Sequence, residues 1–162
     1  MRVFVTVGTT SFDQLIQTVT KDKCIEVLRK KGFSEMVLQI GRGCEPSFSS
    51  HANMKLSWFR LKDCIKEEFQ QADLVISHAG AGSCLEALSE NKPLLIVTND
   101  TLMGNHQTEL ADKLHTEECA YQSTVINLIQ VLDTAHFESL KKFPSGQPSL
   151  FANYLDSLMD VG

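Results

Sequence analysis

Apolar residues in this 162-residue chain gather in short runs separated by polar, helix-forming stretches, and that alternation predicts its elements. Val3 to Val7 is β-branched and aromatic and ends at Gly8, which reads as a strand and its turn. Ser11-Phe12-Asp13-Gln14 has the spacing of a capping box, so an amphipathic helix is expected from there to about Lys31, with Gly32 as its stop. Met36 to Ile40 reads as a second strand, Gly41-Arg42-Gly43 as its turn, and Cys44 to Asn53 as loop. Leu56 to Phe59 predicts a third strand, Ile65 to Gln71 a short helix, Leu74 to Ser77 a fourth strand and Ser83 to Glu90 its helix. Pro93 cannot continue that helix and introduces a fifth strand, Leu94 to Val97.

After a loop from Asn99 to Gly104 comes a helix over Asn105 to His115, a weak strand around Ala120-Tyr121, and a helix from Val125 to about His136. Phe143 to Pro148 reads as a linker. The final stretch, Ser149 to Met159, places Leu150, Phe151, Tyr154, Leu155, Leu158 and Met159 on one helical face. Strands alternating with helices, several of them uniformly apolar, predict an α/β fold: a Rossmann-like parallel sheet with helices on both faces. The length fits one domain over residues 1–162.

Composition narrows the partners. The formal charge of -5 argues against nucleic acid, whose phosphates call for a basic face. No apolar run approaches the ~20 residues that cross a bilayer, and the strand-like N-terminus is expected to enter the fold directly. Five cysteines without a Cys-x-x-Cys pair suit neither a disulfide scaffold nor a zinc site, and reduced thiols in a cytosolic protein are expected.

The most informative stretch is Asp73 to Glu86, where an apolar strand breaks into His78-Ala79-Gly80-Ala81-Gly82-Ser83 and a helix follows at once. Backbone N–H groups at a helix start lack intrahelical partners and sit at the positive end of the helix dipole, so this order makes an anion site. The third glycine of the dinucleotide fingerprint is missing, because Leu85 stands there, and no Walker lysine follows. Gly8-Thr9-Thr10 and the loop from Thr98 to Gln107 also follow the carboxyl ends of strands, where open parallel sheets bind ligands.

Each candidate residue has a plain reading beside a functional one. Glu86 either closes a capping box with Ser83 or accepts hydrogen bonds from two ribose hydroxyls. Asn105 is an N-cap or a ligand contact, and His106 and Gln107 offer polar groups to a sugar or phosphate. His78 is either a structural histidine or a phosphate ligand. Thr9 and Thr10 cap the first helix, bond a phosphate oxygen, or both. Arg42 is a solvated turn charge or a contact at a partner surface, and Arg60 and Lys62 read as a solvated, charged face.

Gly8-Thr9-Thr10-Ser11-Phe12-Asp13, Gln39-Ile40-Gly41-Arg42-Gly43, Ser77 to Glu86 and Asn105-His106-Gln107-Thr108-Glu109-Leu110-Ala111 together resemble one family. They look like the catalytic subunits of the eukaryotic two-subunit UDP-N-acetylglucosamine transferases that make dolichyl-diphospho-chitobiose. Those are similar in turn to the carboxyl-terminal domain of the bacterial enzyme that adds GlcNAc to lipid-linked muropeptide. The resemblance spans nearly the whole chain, including Phe143-Pro144-Ser145-Gly146 and Leu155 to Met159. It departs at Gly104, where the family often has Asn or Asp, and between Glu118 and Asp133.

The resemblance implies the nucleotide-binding half of a GT-B glycosyltransferase that transfers GlcNAc from UDP-GlcNAc to dolichyl-diphosphate-GlcNAc. Its partner would be a membrane-anchored, acceptor-binding subunit, forming a heterodimer at the cytosolic face of the endoplasmic reticulum, with the last helix contributing to docking. Glu86 would bind ribose, His106 and Gln107 the donor sugar, and Gly8, Thr9, Gly80, Ala81, Gly82 and Ser83 would surround the diphosphate. Backbone near Arg60 and Leu61 would meet the uracil. No cofactor and no metal are expected. The rival expectation is a catalytically inactive paralogue that binds a nucleotide sugar or the partner alone.

Overall fold

The computed structural model describes residues 1–47, 53–99 and 105–142. Its strands are β1 (Arg2–Thr6), β2 (Glu35–Gln39), β3 (Lys55–Phe59), β4 (Leu74–His78), β5 (Leu94–Thr98) and β6 (Tyr121–Thr124). They form one sheet in the order β3-β2-β1-β4-β5-β6, with every neighbouring pair parallel. β1 lies between β2 and β4, so the sheet's order reverses beside it. In register, Thr6 stands opposite both Gln39 and Ser77. Ligands of open parallel sheets bind at such a reversal, beyond the carboxyl ends of the strands.

Helices α1 (Asp13–Val19), α2 (Asp22–Lys30) and α6 (Leu128–Thr134) cover one face. Helices α3 (Lys66–Gln71), α4 (Ala81–Ser89) and α5 (Asn105–Thr116) cover the other. Period-two alternation along the strands feeds both cores. Val3, Val5, Leu38, Ile76 and Leu95 bury against the first set of helices, while Phe4, Val37, Val75 and Ile96 bury against the second. Phe4 is fully enclosed and meets Phe69 of α3 edge-on, at 5.2 Å between ring centres. Burial of a side chain of that size contributes about 1.5–3 kcal/mol.

Three expectations need correction. The single helix predicted to Lys31 is two, because the β-branched run Thr18-Val19-Thr20 turns its hydroxyls back on the helix. Thr18 Oγ1 donates to the Gln14 carbonyl (2.7 Å), and Thr20 Oγ1 to those of Ile16 (2.8 Å) and Gln17 (3.1 Å). Lys21 then becomes extended (φ -68, ψ 146) and Asp22 starts a new helix. The Ser11–Gln14 capping box does not form: Phe12 is the N-cap of α1, and no side chain caps it. Thr9 and Thr10 therefore do not cap it either.

The third correction concerns α4, which begins at Ala81 with Gly80 as N-cap, two residues before the predicted start. The predicted linker 143–148, the last helix 149–159 and the loop residues 100–104 lie outside the described residues. Among the described residues no helix is long and apolar enough to cross a membrane.

Candidate functional site

The Gly8 turn is fixed by side chains buried beneath it. Thr6 Oγ1 donates to Gln39 Oε1 (2.6 Å) and accepts the Gly8 N–H (3.0 Å), so β1 and β2 are tied together where the turn begins. Gly8 has φ +65, and Thr10 Oγ1 closes the turn by donating to the Val7 carbonyl (2.9 Å). That hydroxyl proton is committed within the turn. Thr9 stays exposed.

The turn after β2 packs directly on this one. The Arg42 N–H donates to the Thr10 carbonyl (3.0 Å). Asp13 Oδ1 accepts the Cys44 N–H (3.0 Å). Arg60 Nη1 donates to the carbonyls of Gly41 (3.2 Å) and Gly43 (2.7 Å). Arg60, read from sequence as solvated charge, is thus a clamp on the β2 turn, whereas Arg42 is exposed as expected.

His78 ends β4, and its ring lies between two glycines. A Cβ on Gly8 would stand 3.0 Å from Cε1; one on Gly80 would collide with Nε2 and stand 2.6 Å from Cε1. Nδ1 is buried without a hydrogen-bond partner. Burial pushes the imidazole below its ordinary value, against a smaller opposing effect of the Thr6 backbone, and so favours the neutral ring. Gly8 and Gly80 make room for a ring, whereas the space around Gly82 is open, with nothing within 4 Å of a Cβ there.

α4 starts beside this ring. The Cys84 N–H bonds the Gly80 carbonyl (3.1 Å) as the first helical hydrogen bond, leaving the N–H groups of Ala81, Gly82 and Ser83 at the positive end of the helix. Ser83 is the third helical residue, so its capping box with Glu86 is not the geometry present. Gly82, Ser83 and Glu86 instead share the helix face that lines a cleft. Cys84 points into the core, and burial pushes its thiol up to about 12. It is no nucleophile. All five cysteines are unpaired.

The cleft holds about 470 Å³ and opens at the carboxyl edge of the sheet. It brings together Gly8, Thr9, Thr10, His78, Gly80, Gly82, Ser83 and Glu86 from the sequence reading. Ala81 is not on its wall; that side chain packs toward the second core. Asn105, His106 and Gln107 form the first turn of α5, and their side chains lie outside the described residues. A second hollow of about 550 Å³ lies beside α1 and α2 and contains none of the predicted residues.

The opposite wall is made by Gln39, Leu61, Lys62, Ile65 and Phe69; the resemblance had implied the backbone near Leu61 as a ligand contact, and sequence reasoning missed the other four as site residues. Ile65 and Phe69 are four residues apart across the start of α3, the spacing of one helix face. Leu61 is 58% exposed, an apolar side chain left beside a cleft. Those two signals were available in the sequence, because the loop after β3 ends at the same sheet edge as the other two.

A model of the glycosyltransferase family 28 C-terminal domain matches residues 2–156. The chain is 45% identical over 159 residues to the UDP-N-acetylglucosamine transferase subunit ALG13 of Mus musculus; the match covers 93% of this chain and 14% of the mouse protein. It is 31% identical to the ALG13 of Kluyveromyces lactis, over 94% of this chain and 95% of that protein. An NMR solution structure of ALG13 superposes with a TM-score of 0.74 at 28% identity, over 98% of this chain and 96% of that one. With nearly its whole length matched, the chain belongs to the glycosyltransferase family 28 C-terminal domain family, among relatives that carry the name UDP-N-acetylglucosamine transferase subunit ALG13.

Proposed function

We propose that this chain is the donor-binding half of a UDP-N-acetylglucosamine transferase that passes GlcNAc from UDP-GlcNAc to dolichyl-diphosphate-GlcNAc, in a heterodimer with a membrane-anchored, acceptor-binding subunit. The observation that carries the reading is one cleft uniting the Gly8 turn, the N-terminus of α4 and Glu86. The exposed N–H groups of α4 take the diphosphate and Glu86 accepts hydrogen bonds from the ribose hydroxyls. His106 and Gln107 open the α5 helix at the carboxyl edge of β5 and take the donor sugar.

The reaction is a displacement at the sugar's C1 by the 4-hydroxyl of the acceptor, with inversion and with UDP leaving. Negative charge grows on the β-phosphate as the bond breaks. Fixed N–H groups stabilise such charge without reorganising, and this role needs no metal. The acceptor keeps its lipid in the bilayer, so the partner recruits this chain to the cytosolic face of the endoplasmic reticulum.

The test is transfer of labelled GlcNAc from UDP-GlcNAc to dolichyl-diphosphate-GlcNAc in membranes carrying the partner. Transfer that depends on this chain and falls at least tenfold in Glu86→Ala at subsaturating donor is the expected result, an interaction worth about 1.4 kcal/mol or more. Unchanged turnover in Glu86→Ala overturns the ribose assignment. Donor binding and partner assembly without transfer favour an inactive binding module.

A further inference from the structure

The charges around the cleft do not match a diphosphate as they stand. Among its described lining residues Lys62 is the lysine or arginine, and Glu86 is the carboxylate. The helix start supplies only partial positive charge, so a ligand with several negative charges leaves Lys62 as the one full counter-charge on the described wall. Yet its ammonium is turned away, held 2.6 Å from Glu68 Oε1 and 4.4 Å from the centre of the Phe59 ring.

The environment of Glu68 makes that hold replaceable. Glu68 is 8% exposed, and its second oxygen, Oε2, is buried without a hydrogen-bond partner, 3.8 Å from Nη1 of Arg2. The Nε of Arg2 is likewise buried and unpaired. The Arg2 guanidinium is anchored by Glu35 (Nη2 to Oε1, 3.2 Å) and by Gln71, so it stays beside Glu68 as a second, shared cation when Lys62 leaves. A buried carboxylate stripped of every cation would be costly; one that trades cations is not. Lys62 is 43% exposed, with a flexible stem along the cleft wall, and so is free to turn.

We infer that Lys62 is a nucleotide-binding residue parked on Glu68 in the empty site, and that it swings to the diphosphate when the donor enters while Arg2 holds Glu68. The inference rests on the nucleotide-sugar reading and adds a residue and a movement to it. The Lys62–Glu68 pair then competes with the ligand, so the two residues have opposite effects on affinity.

Calorimetric titration of the full chain with UDP, beside NMR titration with uridine, separates the possibilities. Lys62→Met keeps the aliphatic stem; it is expected to weaken UDP about tenfold or more and leave uridine within about twofold, because a charged hydrogen bond is worth about 1.5–3 kcal/mol. Lys62→Arg restores most of the affinity. Glu68→Gln is expected to tighten UDP by about two- to fivefold, releasing the lysine. Equal UDP affinity in Lys62→Met, equal losses of UDP and uridine, or weaker UDP binding by Glu68→Gln each overturns the inference and leaves the nucleotide reading intact. A parent chain that binds neither UDP nor UDP-GlcNAc overturns both.

Discussion

The imidazole of His78 occupies the space that a side chain on Gly80 would need, with a Cβ there only 2.6 Å from Cε1 and in collision with Nε2. Gly80 itself has φ -75 and ψ 128, a conformation that any residue adopts. The glycine is therefore required by its neighbour and not by its backbone. Gly80→Ala should cost about 1–3 kcal/mol by overpacking, and in a His78→Ala background it should cost less than about 0.5 kcal/mol. Urea denaturation of the four proteins of this cycle measures the coupling. The same cost in both backgrounds would show that the ring is not what excludes the side chain.

Gly41 is a glycine for the opposite reason. Its φ is +57, and a Cβ would overlap the Thr10 carbonyl oxygen and stand 2.9 Å from that of Gly8. Those are backbone atoms, so no rotamer change relieves the clash. Gly41→Ala should destabilise the fold by about 2–4 kcal/mol, combining left-handed strain with overpacking. It should also weaken UDP binding, because the displaced carbonyls belong to the Gly8–Thr10 turn of the cleft. Denaturation and titration of the same sample check both effects, and retained affinity would separate the two turns.

Half of the site was legible because glycine turns after apolar strands announce themselves, as at Gly8 and His78–Ser83. The order of strands and helices was legible for the same reason: runs such as Val3–Val7 and Leu94–Val97 are buried on both faces, so they are almost wholly apolar, with Thr6 the one polar residue among them. The break at Thr20-Lys21 was hidden, because it depends on hydroxyls choosing helix carbonyls over solvent. Ser83-Cys84-Leu85-Glu86 matched a capping box in spacing but not in place, since the helix had already begun at Ala81. Arg60 and Lys62 were read as surface charge because their partners, Gly41 and Gly43 for Arg60 and Glu68 for Lys62, lie on other elements.

Arg60 gives a third prediction. One guanidinium nitrogen holds two carbonyls of the β2 turn, and that turn touches the Gly8 loop through the Arg42–Thr10 hydrogen bond. Because Arg60 is exposed, Arg60→Ala should cost only about 1 kcal/mol. Arg60→Lys should recover little of it, since the lysine ammonium ends one bond short of the position Nη1 occupies. Thermal melts of the parent and both variants measure this. A lysine variant as stable as the parent would mean that charge near the turn is sufficient, without the guanidinium geometry.

His78 sets a pH dependence whose sign is fixed. Burial lowers its folded-state value below the ordinary 6.5, so the unfolded chain binds this proton more readily than the folded one. Stability that depends on the neutral ring is then fully present above pH 6.5 and is lost as pH falls through the folded value. His78→Gln keeps a polar side chain but has no proton to gain in that range. The difference in unfolding free energy between parent and His78→Gln should therefore be constant above about pH 7 and shift against the parent as pH falls below 6.5. Urea titrations at pH steps between about 5 and 8 measure it. A difference that stays flat across that range would place the His78 value in the folded chain at its ordinary position, and the ring between Gly8 and Gly80 would then be charged at the same pH as one in water.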